Sequence, residues 1–197
     1  MGGPIGKRVA EADGRIEEVW PLPLDEAFLF ALYRELFEAH WDKITWGPLI
    51  PGAAYELKCP GKPERVSLSN GYLTIHWGAR GHFHLCIGEN AGAPPALAAR
   101  RRPGRVELYR RLDAEEHPIS WGIRMFNGHD EPQITIFLPN PFLKPEDRIA
   151  DTPDWSRLAL WEELFPRLTG HPPDGRDRLG KGYAKTKNRT EAKERQA

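Results

Sequence analysis

Two cysteines in 197 residues, Cys59 and Cys86, are too few for a disulfide scaffold. No apolar run approaches the roughly 20 residues that carry a helix across a bilayer. The first residues, MGGPIGKRVAEADGRIEEVW, lack the apolar stretch of a secretory signal. These absences suggest a reducing cytoplasm. Net charge is missing as well: 28 basic and 28 acidic groups cancel, which argues against broad electrostatic capture of nucleic acid or an anionic membrane. The cancellation is uneven. Residues 1–170 hold 20 basic and 24 acidic groups, whereas the stretch from His171 holds eight and four. A mildly acidic body therefore carries a basic tail, the one part suited to a weak contact with an anionic partner. No phosphate-cradling GxxxxGK(S/T) or GxGxxG loop occurs, and no GxSxG elbow, so nucleotide chemistry and serine hydrolysis lose ground.

What is present is an alternation of helical and strand patterns separated by 19 glycines and 19 prolines. From Leu24 to Ile44, Phe28, Ala31, Leu32, Leu36 and Phe37 recur at helical spacing, with Arg34, Glu35 and Glu38 on the other face. A loop rich in Pro and Gly follows, with a short strand at 54–59. Strands are expected at 65–69, 72–77 and 82–88, a short helix at 94–102, and strands at 106–112, 120–126 and 133–138. Asp151-Thr152-Pro153 announces a last helix, in which Trp155, Leu158, Trp161, Phe165 and Leu168 form one apolar face. The order predicts an α+β fold, with an antiparallel sheet of about six strands and the N- and C-terminal amphipathic helices packed on one face. The expected organisation is a loose leader over 1–20, with at most an edge strand near Arg15–Trp20. One α+β domain over 21–170 and a disordered basic tail over 171–197 complete it.

The stretch YLTIHWGARGHFHLCIG (72–88) carries the chemistry. Leu73, Ile75 and Trp77 alternate with Tyr72, Thr74 and His76, and Phe83, Leu85 and Ile87 alternate with His82, His84 and Cys86. If the apolar sets share a core, Ile75 opposes Phe83. His76 then faces His82, Thr74 faces His84 and Tyr72 faces Cys86. Cross-strand neighbours lie about 5 Å apart, so His76, His82 and His84 can converge on one point, with Cys86 a step further along. Imidazole and thiolate suit iron, copper or zinc, and three protein ligands leave an open position. The same face could instead hold solvated histidines and a small buried Cys86. Arg124, on the mixed face of its strand, is a candidate for binding an anionic substrate, with a structural ion pair as the alternative. The arginines between 100 and 111 read as a solvated, partly paired cluster, and Asn127, His129 and Asp130 as turn formers.

The segments SNGYLTIHWGARGHFHLCIG (69–88) and FNGHDEPQITIFLPNPF (126–142) resemble those of a small bacterial family with a domain-of-unknown-function label, over most of residues 20–168. The resemblance implies a bacterial source and a free-standing small protein. It brings no activity and no functional residue. The reading that follows is a protein binding a transition metal, or a metal-containing cofactor such as haem, through His76, His82, His84 and Cys86. The alternative is a non-catalytic module that holds a protein partner on its sheet face and basic tail.

Overall fold

The computed structural model describes residues 6–10 and 15–183. The chain begins with β1 (Lys7–Ala10), β2 (Ile16–Pro21) and α1 (Glu26–Ala39). Four short strands follow, β3 (Thr45–Gly47), β4 (Leu49–Ile50), β5 (Ala53–Ala54) and β6 (Leu57–Lys58). Then come β7 (Arg65–Ser69), β8 (Tyr72–His76), β9 (His82–Cys86) and α2 (Pro95–Arg101). The long strands β10 (Pro103–Leu112) and β11 (Pro118–Asn127), then β12 (Pro132–Phe137) and α3 (Ala159–Thr169), complete the order.

Every ladder is antiparallel, but one six-stranded sheet is replaced by three. Seven strands join in the order β1-β2-β10-β11-β12-β3-β6, three in the order β7-β8-β9, and β4 pairs with β5. The reason lies in the edges. β2 takes the free side of β10, with Trp20 opposite Leu108, and β3 takes the free side of β12, with Trp46 opposite Ile136. No edge of the β10–β12 meander is left for β9, so the hairpin strands form a sheet of their own. The expected leader is thus corrected in part: residues 16–21 are an internal strand, with Glu17, Glu18, Val19 and Trp20 buried. Residues 1–5 and 11–14 of that leader lie outside the described residues.

Turn chemistry sets the small sheet. Asn70 and Gly71 adopt φ of 49° and 77°, the two positive values of a type I′ hairpin turn. A Cβ on Gly71 would also sit 2.3 Å from the Glu89 carbonyl oxygen. The helices follow from caps and apolar spacing. Asp25 accepts a hydrogen bond from the Phe28 N–H at 2.9 Å and opens α1, which buries Leu29, Leu32, Tyr33, Leu36 and Phe37. The last helix starts later than expected. Asp154, not Asp151, accepts from the Ser156 N–H at 3.1 Å, and a 3-10 turn at Trp155–Leu158 leads into α3. Gly170, at φ 70°, closes it.

Leu32 and Phe37 of α1, Trp161 and Phe165 of α3, Leu73 and Ile75 of β8, and Ile123 and Met125 of β11 belong to one hydrophobic cluster. The tail expectation also changes. Residues 171–183 are described, and a 3-10 turn at Gly175–Arg178 docks with Asp177 buried. Residues 184–197 lie outside the described residues.

Candidate functional site

The hairpin register is the one expected from alternation: His76 pairs with His82, Ile75 with Phe83, Thr74 with His84 and Tyr72 with Cys86. Leu73, Ile75 and Leu85 are buried beneath it. The opposite face carries Arg65, Ser67 and Ser69 of β7, then Tyr72, Thr74 and His76, then His82 and His84, the last two exposed. The rings of His76 and His82 lie parallel, centroids 5.9 Å apart, and those of His82 and His84 meet edge to face at 4.8 Å.

Each histidine has a different hydrogen-bond environment. Thr74 Oγ1 lies 2.8 Å from His84 Nδ1. With the ring proton on Nδ1 donated to that hydroxyl, the Nε2 lone pair faces outward, the state a metal ligand needs. His76 is held the other way. Its Nδ1 accepts the Gly78 N–H at 3.1 Å, so neutral His76 carries its proton on Nε2 and offers no lone pair in this conformation. Sequence could not show this, because the N–H is aimed by a Gly78 at φ 60° in the 3-10 turn Gly78–Arg80.

Cys86 sits at its expected register position but is withdrawn from the surface. It is buried, its S–H is 3.5 Å from the Gly88 carbonyl oxygen that accepts it, and burial pushes the thiol up despite that bond. Burial pushes the Cys59 thiol up to about 11. Neither thiol is disposed to ionise.

Arg124 takes the structural ion pair weighed against substrate binding. It stands on β11 of the seven-stranded sheet, whereas the histidines belong to the three-stranded one. Its Nη1 donates to Glu17 at 2.6 Å and its Nε to Glu107 at 2.9 Å. The guanidinium expected to hold an anionic substrate thus binds two carboxylates of its own sheet. On the other face, Arg110 is 1% exposed and bonds Glu18 at 2.6 Å, Asp174 at 2.6 Å and Asp177 at 2.9 Å. Asp177 also accepts the indole N–H groups of Trp121 at 2.9 Å and Trp161 at 2.8 Å. Arg100 pairs with Glu131 and Arg105 with Asp130. In the 127–131 turn, Asn127 Oδ1 accepts from the N–H groups of His129 and Glu131, a backbone role.

A donor group that sequence reading missed lies between the helices. Glu35, His40 and Glu163 each bring a ligand atom within 4.8 Å of the others. Among the described residues no other trio of His, Cys, Asp or Glu meets that condition, the hairpin histidines as their rings stand included. No local pattern could reveal it, since Glu163 is on α3 and the other two close α1.

The model of a family described as "Family of unknown function (DUF7676)" matches residues 6–170. A solved structure titled "Crystal structure of ChuX" is similar at 14% identity, covering 79% of this chain and 78% of that one, with a TM-score of 0.50. That likeness concerns the fold. No curated protein matches the sequence. Among the described residues, no helix is long and apolar enough to cross a membrane.

Proposed function

We propose that this chain, which belongs to that family of unknown function, binds a borderline transition-metal ion, zinc or copper, at the exposed hairpin. His82 and His84 are the primary ligands. The observation that carries the reading is the Thr74–His84 hydrogen bond, 2.8 Å long, because a partner on Nδ1 holds the ring in place, and in the tautomer that donates from Nδ1 it leaves Nε2 to a metal, as in protein metal sites. His82 and His84 stand two residues apart on one strand and project from the same face. Exposed rings change rotamer in picoseconds to nanoseconds, so a chelate needs only side-chain rotation. His76 joins as a third ligand when its ring leaves the Gly78 N–H. Cys86 stays buried on its bond to the Gly88 carbonyl.

Haem does not fit this face. A porphyrin requires an apolar slot, and the surroundings of the histidines are Arg65, Ser67, Ser69, Tyr72 and Thr74. Imidazole nitrogen without a carboxylate or thiolate suits zinc or copper better than calcium or magnesium.

The test is metal titration of untagged wild type beside the His82→Ala/His84→Ala double variant and a Cys86→Ala control. Wild type and Cys86→Ala should bind one equivalent more than the double variant. Equal binding by wild type and the double variant sinks the reading, as does loss of metal in Cys86→Ala.

A further inference from the structure

We infer that Glu35, His40 and Glu163 form a second cation site, distinct from the hairpin, which takes a divalent first-row ion and ties the end of α1 to α3. His40 Nε2 lies 3.8 Å from Glu35 Oε1. That is too long for a hydrogen bond and close to the spacing of two ligands on one ion. Bonds of about 2.1 Å place neighbouring tetrahedral donors roughly 3.4 Å apart. All three ligand atoms fall within 4.8 Å of one another, so closure asks for shifts of a few tenths of an ångström to about an ångström.

Two further observations point to a missing ligand. The His40 side chain is only 11% exposed. Its Nε2 is the nitrogen that faces Glu35, and among the described residues the contact it makes there is too long to be a hydrogen bond, so a nearly buried lone pair beside two carboxylates has no bonded partner. In addition, α1 ends without a basic residue in its last turn, so the negative end of the helix dipole and two carboxylates share one place. Among the described residues, one guanidinium meets their charge. Arg167 Nη2 donates to Glu35 Oε1 at 2.7 Å, its pKa is raised by that bond, and Glu163 adds to the effect. The arginine side chain is 48% exposed, so it can swing into solvent. Arg167 is the resident cation with which a metal ion competes.

One imidazole and two carboxylates make a harder donor set than the hairpin histidines, suited to zinc, iron(II) or manganese(II). Three ligands leave room for water, and α1 and α3 supply rigid walls. The consequence is mechanical: an ion here clasps residues 35–40 to 163 on the far helix.

The test uses the full-length chain in the His82→Ala/His84→Ala background, so that only the second site reports, with Zn(II) followed by calorimetry and thermal unfolding. One equivalent should bind, and at about a hundredfold excess over Kd the melting temperature should rise by roughly 5–10 °C. Glu163→Gln, at an exposed position that spares the fold, should abolish both signals. Arg167→Gln should tighten Zn(II) binding roughly tenfold, since one neighbouring like charge is gone. The inference is overturned if Glu163→Gln binds as tightly as its parent, or if Arg167→Gln lowers stability without tightening the metal. Loss of the hairpin site in the earlier titration leaves this outcome untouched, because the histidines are already absent.

Discussion

The outer face of the three-stranded sheet and the ionic seam of the seven-stranded sheet hold polar groups under opposite conditions. In the seam, every charge meets its counterpart. Arg110 faces Glu18, Asp174 and Asp177, and Arg124 faces Glu17 and Glu107, all with side chains no more than 28% exposed. On the hairpin, His82 and His84 are exposed, and His84 Nδ1 meets a neutral hydroxyl. Saturated charges inside a fold hold the fold, while imidazole nitrogens that face water remain available to a ligand. Glu35, His40 and Glu163 lie between these limits, with one guanidinium for two carboxylates.

The comparison breaks most sharply at Arg110. Arg110→Ala leaves carboxylates in a nearly dry site without their cation and should cost about 3–5 kcal/mol, read from the urea midpoint at constant slope. A chain ending at Gly170, which lacks Asp174 and Asp177, should fall at least as far. A loss below about 1 kcal/mol in Arg110→Ala would show the seam to be dispensable.

Acid probes the same region more gently. Burial raises the Asp174 pKa, but hydrogen bonds from Arg110 and Arg176 outweigh it and hold the carboxyl at about 2, below its usual 3.8. A carboxylate depressed in the folded state stabilises above its unfolded pKa and loses that contribution as pH falls through the folded one. Stability should therefore drop by about 2 kcal/mol between pH near 4 and pH near 2. Asp174→Asn should flatten that part of the profile, and an unchanged slope would refute the assignment.

On the hairpin side the effect sits in affinity. Thr74→Val removes the partner of His84 Nδ1 and should weaken metal binding roughly 10- to 100-fold, with stability changed by about 1 kcal/mol or less. Unchanged affinity would remove His84 from the ligand set.

What could be read from sequence follows the range of the cause. The pairing of β8 with β9 was legible because residue alternation fixes register wherever one face is buried. α1 was legible from the spacing of Phe28, Leu32, Leu36 and Phe37, but it ends at Ala39, short of the expected Ile44. The burial of β2 was not legible, although an edge strand near Arg15–Trp20 was, because Glu17-Glu18 reads as surface until the arginines 92–107 residues away are known. The orientation of His76 depends on one N–H in a three-residue turn, and the Glu35–His40–Glu163 group on the meeting of two helices. Both were beyond a pattern of period two or 3.6. Residues 171–179 looked too polar to pack, yet Asp177 is drawn in by two indoles and a guanidinium.

That last contact bears on the order in which the chain can complete itself. Arg110, Trp121 and Trp161 all emerge from the ribosome before Asp177, and Glu18 long before it. Synthesis proceeds N-terminus first, so a nascent chain carries the residues of its sheet and last helix while Arg110 has Glu18 but not Asp174 or Asp177, and two indole N–H groups lack their acceptor. Native charge balance arrives only when residues 174–177 do, some way past the residue 170 at which the family match stops. The carboxylates that complete this network lie beyond the stretch that the sequence similarity covers.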